Sequence, residues 1–260
     1  MIITIKYEEI GMLEVYKEKL KSTCKPAMRI TLSDKVAEYP WNSKVGGVPY
    51  LPVGMAYPVD SEGNKLQFLA QINFEEMPAL DGYPSQGILA FYVGADDLSG
   101  VNYEDPMNQD DFKVIYFEHV THNVQLIEPE YTEYSPIERE ASMCFMPVEQ
   151  IMSICDFNFK KILGEDDYNA LLYSDDDAFN AYLEYCDPQG HLLGGYPYFT
   201  QDDPRQYTEE IQDYVLLFQL DSDVSLDICW GDAGVANFFI HPDDLKNRDF
   251  SRVAYTWDCT

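Results

Sequence analysis

Basic residues are scarce in this chain. Seventeen lysines and arginines stand against 46 aspartates and glutamates, a net charge of −29 over 260 residues. A field of that sign repels polyanions, which argues against nucleic acid and anionic membrane surfaces and leaves a basic protein, a cation or a neutral ligand. No apolar run reaches the ~18 residues of a membrane span, and the first stretch, MIITIKYEEIGMLEVYKEKLK, lacks a long apolar core with a small-residue cleavage site. The expected location is therefore cytoplasmic. The cysteines at 24, 144, 155, 186, 229 and 259 form no CxxC or other metal-like spacing, and their apolar settings predict reduced core thiols. GxSxG, HExxH, dinucleotide and P-loop fingerprints are missing, so no cofactor and no metal is expected, and no catalytic residue can be named from a motif.

What is present is apolar and repetitive. Hydrophobic residues make up 46% and aromatics 14%, which excludes disorder and supplies a sizeable core. The segment 66–73, LQFLAQIN, with 87–93, GILAFYV, has a counterpart 147–148 residues later. Gln71 falls opposite Gln219, Gly87 opposite Gly234, Asp96-Asp97-Leu98 opposite Asp243-Asp244-Leu245, and Gly46-Gly47 opposite Gly194-Gly195. One single-residue indel reconciles all four anchors, so the chain reads as one domain over 1–260 made of two repeats, about 1–147 and 148–260.

The periodicities predict a helix over 8–20, strands at 28–32, 66–74, 87–93, 112–119 and 141–147, then helices over 148–163, 166–173 and 175–185. Gly164 caps the first of these three, and Ser174 or Asp175 starts the last. Strands follow at 214–220, 226–230 and 234–240, and Pro242 begins a short helix. Helices ahead of strand runs predict an α+β fold: an internal duplication of a helix-plus-antiparallel-strands unit, mainly antiparallel sheet, in one compact body.

SKVGGVPYLP at 43–52, LQFLAQIN at 66–73 and WGDAG at 230–234 resemble the YwqG-like family, a bacterial family of unknown function, over nearly the whole chain. The resemblance implies a duplicated α+β fold and carries no reaction, cofactor or catalytic residue. Some relatives suggest a toxin–immunity setting.

Candidate binding residues are Gln71 and Asn73 with their counterparts Gln219 and Asp221, which would line a pseudo-symmetric cleft or else satisfy neighbouring loop backbone. Trp230 and Asp232 are added as an aromatic wall and a hairpin tip, or else as core filler and turn residue. Asp221, Asp223 and Asp232 mimic a calcium loop, but Leu226 stands where glycine is required. His119 and His122 lack a third metal ligand. The expected function is a non-catalytic interaction module, immunity- or inhibitor-like, docking a basic protein through an acidic surface with 20 tyrosines. The alternative is a small-ligand binder or hydrolase working in a cleft between the repeats.

Overall fold

Ten strands hydrogen-bond into one antiparallel sheet. A computed structural model describes residues 7–173 and 176–260. In chain order the strands are β1 (Lys25–Ser33), β2 (Lys44–Val45), β3 (Gln67–Asn73), β4 (Ile88–Val93), β5 (Lys113–Phe117), β6 (Ala141–Gln150), β7 (His191–Gly194), β8 (Val215–Asp221), β9 (Val235–Ile240) and β10 (Ala254–Asp258). Their order across the sheet is β10-β9-β8-β7-β1-β6-β2-β3-β4-β5.

This overturns the α+β expectation. The protein is predominantly β, one curled sheet with few helices, and a helix-plus-strands unit does not recur. The helices are α1 (Tyr7–Leu20), α2 (Phe159–Leu163), α3 (Glu165–Leu172), α4 (Asp176–Cys186) and α5 (Pro242–Asn247). The first four share a single cluster built on Tyr16, Leu20, Phe159, Leu163, Leu171 and Tyr182.

The segment 148–163 shows why the periodicity misled. Val148 and Gln150 prolong β6 opposite Ala27 and Lys25. A turn then intervenes, with the Asp156 N–H donating to the Ser153 carbonyl and the Asp156 carboxylate accepting from the Asn158 N–H. Helix begins only at Phe159, because long-range pairing outweighs local propensity along a central strand. Gly164, at φ +95°, ends it. The cap expected from Ser174 or Asp175 lies outside the described residues.

What does recur is strand pairing. Gln71 pairs with Ala90 on β4, and Gln219 with Asn237 on β9. Each ladder skips one residue, Leu69 in the first and Leu217 in the second, which is the same β-bulge. β1 and β6 pair antiparallel at the centre of the sheet, from Lys25–Gln150 to Ser33–Ser142, with β7 beyond one and β2 beyond the other, so the strand order reads alike from both ends. β2, β7 and β10 were not anticipated. The strand expected at 226–230 is instead a short turn with an isolated bridge at Ile228.

Both faces of β3, β4, β8 and β9 are covered, which explains their near-continuous apolar sequences. The concave face packs Ile72, Leu89, Phe91, Phe218 and Phe238 into one core, with the Phe91 ring 4.8 Å from both Phe218 and Phe238. The convex face is covered twice over, around Tyr50, Phe68 and Tyr92 in the first half and around Leu192, Phe199 and Phe239 in the second. Segment 95–111 covers the β10 edge: Tyr255 N–H donates to the Pro106 carbonyl and Trp257 Nε1 to that of Leu98. The cysteines depart from expectation. All six are free, but only Cys186 is buried, while Cys24, Cys144 and Cys229 are exposed.

Candidate functional site

The duplicated glutamines are clamps. Gln71 is wholly buried; its Oε1 accepts from the Tyr50 N–H at 2.7 Å, and its Nε2 donates to the carbonyls of Pro40 and Asn42 at 2.7 and 2.8 Å. Gln219, equally buried, accepts from the Tyr198 N–H at 2.8 Å and donates to the carbonyls of Pro188 and Gly190 at 2.9 and 2.8 Å. All six partners obey the 148-residue offset. Each amide thus satisfies three backbone groups that a buried loop would otherwise leave bare.

The residues two further on continue the pattern. Asn73 Nδ2 donates to the Trp41 carbonyl and its Oδ1 accepts from the Glu75 N–H, while the Asn73 N–H donates to Ser43 Oγ. The Asp221 carboxylate accepts from the N–H groups of Gly190 and Ser222, and its own N–H donates to His191 Nδ1, where His191 takes the place of Ser43. Burial raises the Asp221 pKa and pushes His191 down to about 4, so the imidazole is neutral and free to accept at Nδ1. Trp230 is buried against Trp257, with its N–H on Ser222 Oγ. Asp232 is exposed on the turn, where its carbonyl accepts from Thr260 Oγ1.

None of Gln71, Asn73, Gln219 and Asp221 borders an open cavity described here, yet the second clamp builds one. A cavity of about 620 Å³, in the usual range for ligand pockets, opens between α4 and the loop that Gln219 holds. α4 contributes Phe179, Asn180 and Glu184, the loop contributes Asp187, Pro188 and Gln189, and Cys155 and Tyr198 complete the wall. α4 is anchored by Tyr182, which is buried against Phe159 and donates its O–H to the Met152 carbonyl. Arg29 fixes the loop from beneath, donating to the carbonyls of Asp187 and Gln189 and pairing with the Asp187 carboxylate at 2.8 Å. A site so held pays little ordering entropy on binding.

Among the described residues no lysine, arginine or histidine lines the cavity itself, whereas Glu184 and Asp187 do. Asp187 is paired with Arg29 beneath the loop, which leaves Glu184 as the carboxylate free to face a ligand. Tyr198 is hydrogen-bonded to the Gln189 side chain. Burial pushes the Cys155 thiol up, so it stays protonated and is a poor nucleophile. Among the described residues no group of three or more His, Cys, Asp or Glu side chains is placed to hold a metal.

Two other cavities are smaller. One, of about 300 Å³, lies in the first half beside Tyr57 and Gln67, with the Lys65–Glu130 ion pair at 3.1 Å among its walls. The other, of about 340 Å³, is bordered by Trp230, Cys229, Glu133 and Glu138. The sequence missed Asn180, Glu184, Gln189 and Tyr198 as site residues. A signal was available for two of them, because Gln189 and Tyr198 are the counterparts of Trp41 and Tyr50 at the same offset.

Comparison with protein families adds one result at this point. A domain of unknown function, DUF1963, matches residues 43–259. The chain belongs to that family. The match takes in both clamp glutamines, both glycine pairs and every residue of the large cavity, while Pro40 and Asn42 of the first clamp lie just before it. No curated protein matches the chain. Among the described residues no helix is long and apolar enough to cross a membrane.

Proposed function

We propose that this DUF1963 chain is a non-catalytic interaction module for a basic protein, and that the cavity beside α4 receives a basic side chain of that partner. The observation that carries the reading is the cavity wall: the exposed Glu184 carboxylate, with Asp187 already paired to Arg29 and no cationic side chain among the described lining residues, in a molecule of net charge −29. Such a field steers a basic partner to the surface, and a preorganised pocket gives the encounter a register. The protonated Cys155 thiol and the buried, neutral His191, whose Nδ1 accepts from the Asp221 N–H, offer no activated nucleophile or free base at the cavity wall.

The SKVGGVPYLP and WGDAG segments favour a YwqG-like, bacterial assignment within the family, and an immunity- or inhibitor-like role in the cytoplasm suits such a module. A small cationic or neutral molecule in the same cavity is the second reading, favoured by the cavity's volume. Titration of labelled lysine- and arginine-rich peptides at rising salt separates the two. Binding that weakens about tenfold or more between low and physiological salt supports the basic partner. Salt-insensitive or absent binding contradicts it.

A further inference from the structure

The two halves differ most where their clamps agree. Gln71 holds the carbonyls of Pro40 and Asn42, and between them stands Trp41; Gln219 holds those of Pro188 and Gly190, and between them stands Gln189. Trp41 is half-buried at the surface of the first half, sandwiched between the exposed rings of Tyr39 at 5.0 Å and His122 at 4.2 Å and nearly parallel to both. The counterpart of Tyr39 is Asp187, and the side chains of Asp187 and Gln189 border the open cavity. The first half thus supplies its own flat ring at the position where the second half leaves a space.

We infer that the cavity beside α4 takes the planar guanidinium of an arginine side chain, and that Gln189 is the position that keeps the cavity open for it. The inference rests on the proposed basic-partner reading and names the group that enters. A guanidinium is flat, as Trp41 is, and it stacks on aromatic faces such as those of Tyr198 and Phe179. Its five donors suit a wall of carboxylate and amide oxygens from Glu184, Asn180 and Gln189. A lysine ammonium is a compact, strongly hydrated point charge and gains less from such walls.

The test uses matched peptides that differ only in a central arginine, lysine or citrulline, titrated by fluorescence anisotropy at physiological salt. The arginine peptide is expected to bind wild-type protein about tenfold or more tightly than the other two. Gln189→Trp, which installs the first-half residue, and Glu184→Gln on the exposed face of α4 should each erase that preference, with melting curves checking that both variants fold. Equal affinity of the arginine and lysine peptides overturns the inference while the basic-partner reading stands. A preference that survives both variants puts the site elsewhere and also overturns it. Failure of every peptide to bind wild-type protein overturns the reading on which it rests.

Discussion

The first half and the second half use one loop device to opposite ends. A buried glutamine with three backbone hydrogen bonds fixes loop 40–50 in one and loop 188–198 in the other. Around the first clamp the loop is sealed by the Tyr39–Trp41–His122 stack, and Tyr50 is buried with its hydroxyl accepting from the Thr121 N–H. Around the second, helices replace the stack and Tyr198 borders a cavity. A second exchange accompanies the first. Tyr57 lies edge-on to Tyr92, whereas its counterpart Arg205 lies over Phe239, the counterpart of Tyr92, with its guanidinium held by Asp156 and Asp203 at 3.0 and 2.6 Å. The shared clamp shows what the scaffold requires, and the exchanges show where one half is free to change.

The sharpest break in the comparison should come at Arg205. Arg205→Ala leaves two buried carboxylates unpaired and should cost about 4 kcal/mol in urea unfolding, while Tyr57→Ala at the matched position has no charge to strand and should cost less. The clamps should respond alike. Gln71→Ala and Gln219→Ala each expose three buried backbone groups to an apolar void, an expected loss of about 3 kcal/mol apiece. A large disparity between the two would deny that the clamps are equivalent.

His191 and Ser43 provide the next contrast. Burial holds His191 near 4, below its ordinary 6.5, with the Asp223 carboxylate and the Arg29 guanidinium as the charges facing it. The unfolded chain therefore takes up the proton first on acidification. The stability from this group is whole above about pH 6.5 and is lost as the pH falls toward 4, about 3 kcal/mol in all. His191→Ser, which restores the first-half residue, should remove that slope from the difference in unfolding free energy between the two proteins. The smallest expected effect is at the glycine pairs. Gly47 and Gly195 share φ +75°, and an added Cβ would collide with the side chains of Glu140 and Gln150 respectively, so alanine at either should cost about 2 kcal/mol. Alanine at Gly54, equally left-handed but in open space, should cost about half that.

The glutamines, the glycine pairs and the bulged strands were legible because each repeats at a fixed offset and each has a local cause. The sheet as a whole was not. β2 and β7 are too short to show a period, and β6 runs three residues beyond Pro147, where the strand was expected to end. The helical spacing after Pro147 is real, yet its first apolar residues serve a strand end and a turn. The cavity was hidden for a different reason: its walls come from α4, the 187–190 loop, Cys155 and Tyr198, which no single pattern joins. Two traces were readable: Tyr198 at the place of Tyr50, and Gln189 at the place of Trp41, a polar residue where the other repeat has a large ring.

The most direct test of an open second clamp loop and a covered first one is a heteronuclear NMR titration of wild-type protein with the arginine peptide. Shift changes gathered on α4, residues 187–190 and Tyr198, with residues 39–42 and His122 unmoved, are the expected result. Changes centred on the Tyr39–Trp41–His122 stack, or spread evenly over the acidic surface, would contradict it.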